Sequence, residues 1–112
     1  MKIRKGDVFL ADLEPRRGTE PGKVRPVVVV QTNLLNGIHP STVICPVTTN
    51  VQPGSMFLRV HLVTGEAGMK QKSDILVDQI RAVDNRRLLQ RLGKVSRKSQ
   101  VKLARSLSIL LT

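Results

Sequence analysis

The chain has 112 residues, 40% of them hydrophobic, a single cysteine and a formal net charge of +11. That length sustains one core, so one domain over residues 1–112 is expected. The apolar content excludes a disordered chain, the lone cysteine excludes an intrachain disulfide, and apolar runs of no more than four residues, such as valines 27–30, exclude a bilayer-spanning helix.

The N-terminus Met1-Lys2-Ile3-Arg4-Lys5 is basic, but no apolar signal segment follows it, so a cytoplasmic protein is expected. Gly6-Asp7 then introduces a first strand over 8–13. Residues 14–23 hold two Pro, two Gly, two Arg and two Glu, the composition of a loop. A second strand spans 26–31, and its unbroken valines predict burial on both faces. A turn-rich connection over 33–41 leads to a third strand at 42–48. Pro46 within it argues for an edge or a bulge. Pro53-Gly54 marks another turn. A fourth strand follows at 56–62, with Phe57, Arg59 and His61 alternating against Leu58, Val60 and Leu62. A fifth strand is expected over 73–83 and a short helix over 86–92.

The last segment has the clearest helical pattern. Ser96 is an N-cap candidate. Leu103, Leu107 and Leu110 share a face with Ala104 and Leu111, and Lys98, Lys102 and Arg105 lie opposite. Val101 and Ile109 fall outside the apolar arc. Arg97 and Lys98 occupy the first turn, where the helix dipole disfavours cations. Five short strands and a closing helix predict a small, strongly bent antiparallel sheet or barrel of mainly-β or α+β class.

The charge favours a polyanionic partner, and for this chain nucleic acid above a membrane. It is also uneven: residues 85–112 carry eight Lys or Arg and no acid. Phe9 and Phe57 are the only aromatics, so base stacking has to fall to arginine planes or a lone ring.

Standard catalytic sets are missing. With two histidines, His39 and His61, and one cysteine, no zinc pattern forms, and neither a metal nor a cofactor is expected. Asp74 and Asp78, on one strand, would stand about 13 Å apart at ~3.3 Å per residue, too far to share an ion. The glycines of 18–22 precede a strand, not a helix, and do not follow the phosphate-loop pattern. Cys45 sits in an apolar stretch and reads as a small core residue. What remains is the 16–23 loop with Glu20, Arg25-Pro26 opening the valine strand, and Thr48-Thr49 ending the third strand.

At these residues the chain resembles the MazF/PemK family of bacterial toxin–antitoxin systems. The resemblance runs through Gly6-Asp7-Val8, Asp12-Leu13, Pro15, Gly18-Thr19-Glu20 and Arg25-Pro26 with its valines. It continues through Asn36, Pro40 to Val43 and Val47-Thr48, then Asp78 to Asp84, Arg86 and Leu88. It implies an SH3-like barrel with a C-terminal helix, a homodimer, cleavage of single-stranded RNA without metal, and a cognate antitoxin. It assigns catalysis to Arg25 and Thr48, and it matches the loop glutamate to Glu20, the candidate general base. Arg17, Gly18, Thr19, Gly22 and Lys23 of the loop, with Thr49 and Gln79, are expected to contact RNA. Pro21-Gly22-Lys23 replaces a more glycine-rich loop, Arg17 stands where an aromatic occurs, and the acid-free C-terminal third is unusual for the family. Two alternatives fit the charge: a same-fold toxin that poisons a protein such as DNA gyrase, and a non-catalytic RNA-binding module.

Overall fold

The computed structural model describes residues 1–13, 18 and 23–112. Seven strands form one antiparallel sheet: β1 (Asp7–Asp12), β2 (Val24–Val29), β3 (Ser41–Thr48), β4 (Arg59–Leu62), β5 (Ser73–Leu76), β6 (Arg81–Asp84) and β7 (Leu88–Lys94). Helix α1 (Arg97–Leu111) closes the chain. The strand order is β4-β5-β3-β2-β1-β7, with β6 also paired to β3.

β3 organises the sheet. One edge takes β2, with Val27 opposite Pro46 and Val29 opposite Ile44. Its other edge takes two strands in turn: Ser41 to Ile44 pair with β6, and Val47 and Thr48 pair with β5. The expected fifth strand is therefore one run along β3, broken by a 3-10 turn at Val77–Gln79. The break falls opposite Cys45 and Pro46, and proline has no N–H to give a ladder. Pro46 thus marks an irregularity in a central strand, not an edge.

The expected helix over 86–92 does not form. A short 3-10 turn at Asn85–Arg87 leads into β7, which pairs with β1. β1 would otherwise be an open edge, and its pairing overrides the weak helical pattern. The fourth strand is shorter than expected, starting at Arg59.

The sheet curls but does not close, for among the described residues β4 and β7 are ends that do not pair. The turn Glu66–Gly68, just after β4, packs on β7 instead. A Cβ at Gly93 would lie 2.7 Å from the Ala67 carbonyl carbon, and one at Gly68 only 2.5 Å from the Leu92 carbonyl oxygen. Glycine is required at both ends of this contact.

Curling leaves a core on each face. Val8, Val28, Cys45, Val47, Val60, Leu62, Ile75 and Val77 pack with Val95 and Leu103 on the helix side. Phe9, Ala11, Leu13, Val27, Val29, Ile44, Val83 and Leu88 fill the other. The valine run is shared between them, as its lack of alternation predicts. Strand alternation therefore sends Arg25, two residues before Val27, and Thr48, four after Ile44, toward the second face.

Ser96 caps α1: its Oγ accepts from Ser99 N at 3.1 Å. The buried stripe is narrower than expected, running Ser99, Leu103 and Ser106 with Leu107 beside it. Ala104, Leu110 and Leu111 are exposed, as are Val101 and Ile109. The helix lies against β4 and the 77–79 turn, and these cover only part of its apolar arc. The cations of the first turn are offset by Glu66, which accepts from Ser96 N at 3.0 Å and Ser99 Oγ at 2.6 Å.

Candidate RNA cleft

Arg25 stands in β2 opposite Ala11 of β1. The β2–β3 ladder ends at the Val27–Pro46 pair, and Arg25 and Thr48 lie two residues beyond it on adjacent strands. Both line an open cleft of about 260 Å³ with Lys23, Val24, Pro26, Val47, Thr49, Met69 and Ser73. Lys23 holds a left-handed φ of +64° where the loop enters β2.

The Thr48 hydroxyl has a defined orientation. Its Oγ1 accepts from Asn50 N at 3.1 Å. A hydroxyl has one proton to give, and with the Asn50 N–H on its oxygen, that proton remains available for a further partner. Arg25 and Thr48 together present a cation and a hydroxyl donor from adjacent strands, an arrangement suited to the oxygens of a phosphodiester.

Lys23, Arg25, Thr48 and Thr49 thus meet in one cleft. Gln79 does not join them: it lines a separate recess with Gln52, Ser55, Leu58, Arg59, Leu76 and Asp78. Gly18 is exposed, with φ +56° and open space around it. Arg17, Thr19, Glu20 and Gly22 lie outside the described residues.

A second cluster borders the site. Thr48 pairs in register with Asp74 of β5, and Asp74 pairs with His61 of β4. One transverse row of the sheet therefore reads Thr48, Asp74, His61. The Asp74 side chain is fully buried. Its Oδ2 accepts from Gln52 N at 2.9 Å and Arg59 Nη1 at 3.2 Å, and its Oδ1 lies 2.6 Å from His61 Nδ1. Burial pushes the carboxyl up, but the Gln52 N–H, His61 and Arg59 outweigh it and hold it below the ordinary range. His61 Nε2 also lies 3.2 Å from the Ser55 carbonyl. The sequence carried one sign of this cluster, the alternation of Arg59 and His61 against Val60 and Leu62. The acid that joins them sits on a strand whose register no local pattern reveals.

Among the described residues, no group of three or more His, Cys, Asp or Glu side chains is arranged to hold a metal ion. No helix among them is long and apolar enough to cross a membrane. Cys45 is buried, and burial, with the nearby negative charge of Asp78, pushes its thiol up to about 12. It is no nucleophile at neutral pH.

Comparison with known proteins identifies the family and the fold. Residues 4–111 match the model of the PemK-like, MazF-like toxins of type II toxin–antitoxin systems. The chain is 34% identical over 107 residues to an endoribonuclease MazF of Staphylococcus epidermidis, covering 96% of this chain and 89% of the relative. It is 32% identical over 109 residues to endoribonuclease EndoA of Bacillus subtilis strain 168, covering 97% and 94%. Its fold superposes on a crystal structure of MazF from Deinococcus radiodurans with a TM-score of 0.85, at 26% identity, over 99% of this chain and 97% of that one. With the family model spanning nearly the whole chain, the protein belongs to the PemK-like, MazF-like toxins of type II toxin–antitoxin systems.

Proposed function

We propose that this toxin is a sequence-specific, metal-independent endoribonuclease that cuts single-stranded mRNA in the cytoplasm, acts as a homodimer and is silenced by a cognate antitoxin. The observation that carries the reading is the convergence of Arg25 and Thr48 on one cleft from adjacent strands. The names of the curated relatives support the reaction class, the family supports the antitoxin, and the charge of +11 supports the polyanionic substrate.

Single-stranded RNA carries its own nucleophile, the 2′-OH beside the scissile phosphate. The O2′ proton passes to a base, O2′ bonds to phosphorus, and the P–O5′ bond breaks as O5′ takes a proton. The products are a 2′,3′-cyclic phosphate and a 5′-OH end. Charge builds on the non-bridging oxygens in the transition state. The planar fork of Arg25 can pair with two of them, and the Thr48 hydroxyl can donate to one. Arginine remains protonated and is unsuited to be the base. Glu20 fills that role in this scheme, with Arg17, Gly18, Thr19, Gly22, Lys23, Thr49 and Gln79 contacting the RNA. With an internal nucleophile and a fixed cation, the route needs no metal.

The test is incubation of antitoxin-free protein with a long end-labelled RNA in EDTA, beside Arg25→Ala, with the fragment ends mapped. Discrete cuts ending in 5′-OH are expected from the wild type. Arg25→Ala should lose on the order of 10²–10³-fold in kcat, the usual loss when a transition-state donor is removed. Intact RNA at high concentrations of folded wild-type protein overturns the reading.

A further inference from the structure

Behind Thr48, on the side away from Arg25, the cross-strand row continues into a buried carboxylate. An acid there is an unexpected choice. It sits beside a cleft suited to phosphate, and a buried charge is costly unless it is paired and hydrogen-bonded. An apolar side chain would fill the same place in the sheet. The partners of Asp74 show what the carboxylate adds.

Each of them reaches into the 49–58 segment, which leaves the end of β3 directly after Thr48. Gln52 gives its backbone N–H to Asp74 Oδ2. Arg59 Nη1 donates at once to Asp74 Oδ2 and, at 2.7 Å, to the Asn50 carbonyl. His61 links Asp74 Oδ1 to the Ser55 carbonyl. One buried group therefore fixes three points of the segment, at residues 50, 52 and 55. One of these ties continues into the site. Asn50, held through its carbonyl by Arg59, gives its own N–H to Thr48 Oγ1. An unbroken path of hydrogen bonds runs from Asp74 through Arg59 and Asn50 to the hydroxyl in the cleft.

We propose that Asp74 is a positioning residue for RNA cleavage, acting through Arg59 and Asn50 to orient the Thr48 hydroxyl and through Gln52 and His61 to hold the adjoining cleft wall. This rests on the reading of the chain as an endoribonuclease. The Asn50 N–H on the Thr48 oxygen restricts the directions in which its hydroxyl offers the proton. Without the brace Asn50 shifts, the hydroxyl rotates among its staggered positions, and the donor is no longer pre-oriented toward the phosphorane-like state. Ground-state affinity changes little, because the cations around the cleft supply most of it. The defect is therefore one of turnover.

The test measures kcat per folded molecule for Asp74→Asn, Arg59→Ala, Arg59→Lys and the Asp74→Asn/Arg59→Ala double variant on one RNA. Affinity is read with an oligonucleotide carrying a 2′-deoxy nucleotide at the scissile position, and the folded fraction by circular dichroism and thermal midpoint. Asp74→Asn is expected to lower kcat about 10-fold while affinity stays within about 3-fold. Arg59→Ala should lower kcat similarly and the double variant little further, because the two act in one path. Arg59→Lys, which keeps a donor able to reach two acceptors, should recover part of the loss. A purely structural role would lower the folded fraction and leave kcat per folded molecule unchanged, which overturns the proposal. Losses that multiply independently overturn it as well. Should Asp74→Asn fail to fold, the contrast between Arg59→Ala and Arg59→Lys decides the question with Asp74 in place. Wild-type protein that cuts no RNA sinks the endoribonuclease reading itself. Wild-type cutting matched by Asp74→Asn sinks only the positioning role.

Discussion

Asp74 and Cys45 show how position decides what a reactive side chain can do. Both are buried in the sheet near the cleft. Asp74 keeps its charge because an N–H, a guanidinium and an imidazole converge on it. Cys45 belongs to the apolar cluster of Val8, Val28 and Ile75, and its sulfur lies 3.9 Å from the Val77 carbonyl. Its thiolate would have no comparable support, and the thiol is raised to about 12. Iodoacetamide at pH 8 is accordingly expected to leave Cys45 unmodified in the native protein and to alkylate it fully in 6 M guanidinium, both read by intact mass. Rapid native alkylation would show that this part of the core opens. The difference between these two residues also marks how far the sequence alone could be read. Cys45 was legible because its neighbours are apolar. Arg25 and Thr48 stand out only through the resemblance to the family, since each alone reads as an ordinary strand-end residue, and what the structure adds is that both line one cleft. Asp74 was not, because its meaning depends on the pairing of β5 with both β3 and β4, strands joined by long connections. Glu20 and its loop neighbours lie outside the described residues and stay with the proposal.

At the scale of elements, the sequence pattern succeeded where one face of a segment faces one environment. It failed where tertiary pairing overrode local preference, as at β7 and at the break in the fifth strand. Helix α1 lies between these cases. Its start was legible from Ser96, but its docking depends on Glu66, which comes from a turn thirty residues earlier. Burial pushes the Glu66 carboxyl up, but the Ser99 hydroxyl and the Ser96 and Val63 N–H groups outweigh it and leave it below the ordinary value. A carboxylate whose folded pKa is depressed stabilises the fold above its unfolded pKa, ~4.3, and loses that contribution as pH falls through the lower folded value. Glu66→Gln is therefore expected to cost about 1–2 kcal/mol at pH 7, the worth of a charge-assisted hydrogen bond. The gap should narrow toward pH 3, as measured by urea denaturation at both pH values. A gap that is constant with pH would mean that Glu66 acts through shape and not charge.

Across the whole molecule, charge and chemistry are separated. The cleft is built at the ends of β2 and β3, whereas a large share of the excess positive charge lies in the acid-free segment after Asp84. On α1, Arg97, Lys98, Lys102 and Arg105 surround Val101 on an open surface groove. All four are exposed. Such charges act at a distance by drawing a polyanion toward the protein, and salt screens them: the Debye length falls from ~30 Å at 0.01 M to ~3 Å at 1 M. Charges that form part of the site act at contact range and on the chemical step. Reversing Lys98 and Lys102 together to Glu should lower kcat/KM several-fold at about 0.02 M salt, through slower encounter. The loss should shrink to within about 2-fold at about 0.5 M, with kcat unchanged throughout. Arg25→Ala should behave in the opposite way, with a kcat defect that persists at every salt concentration. If the helix variant instead lost kcat at high salt, α1 would lie against the RNA during cleavage, and the site would extend well beyond the ends of β2 and β3.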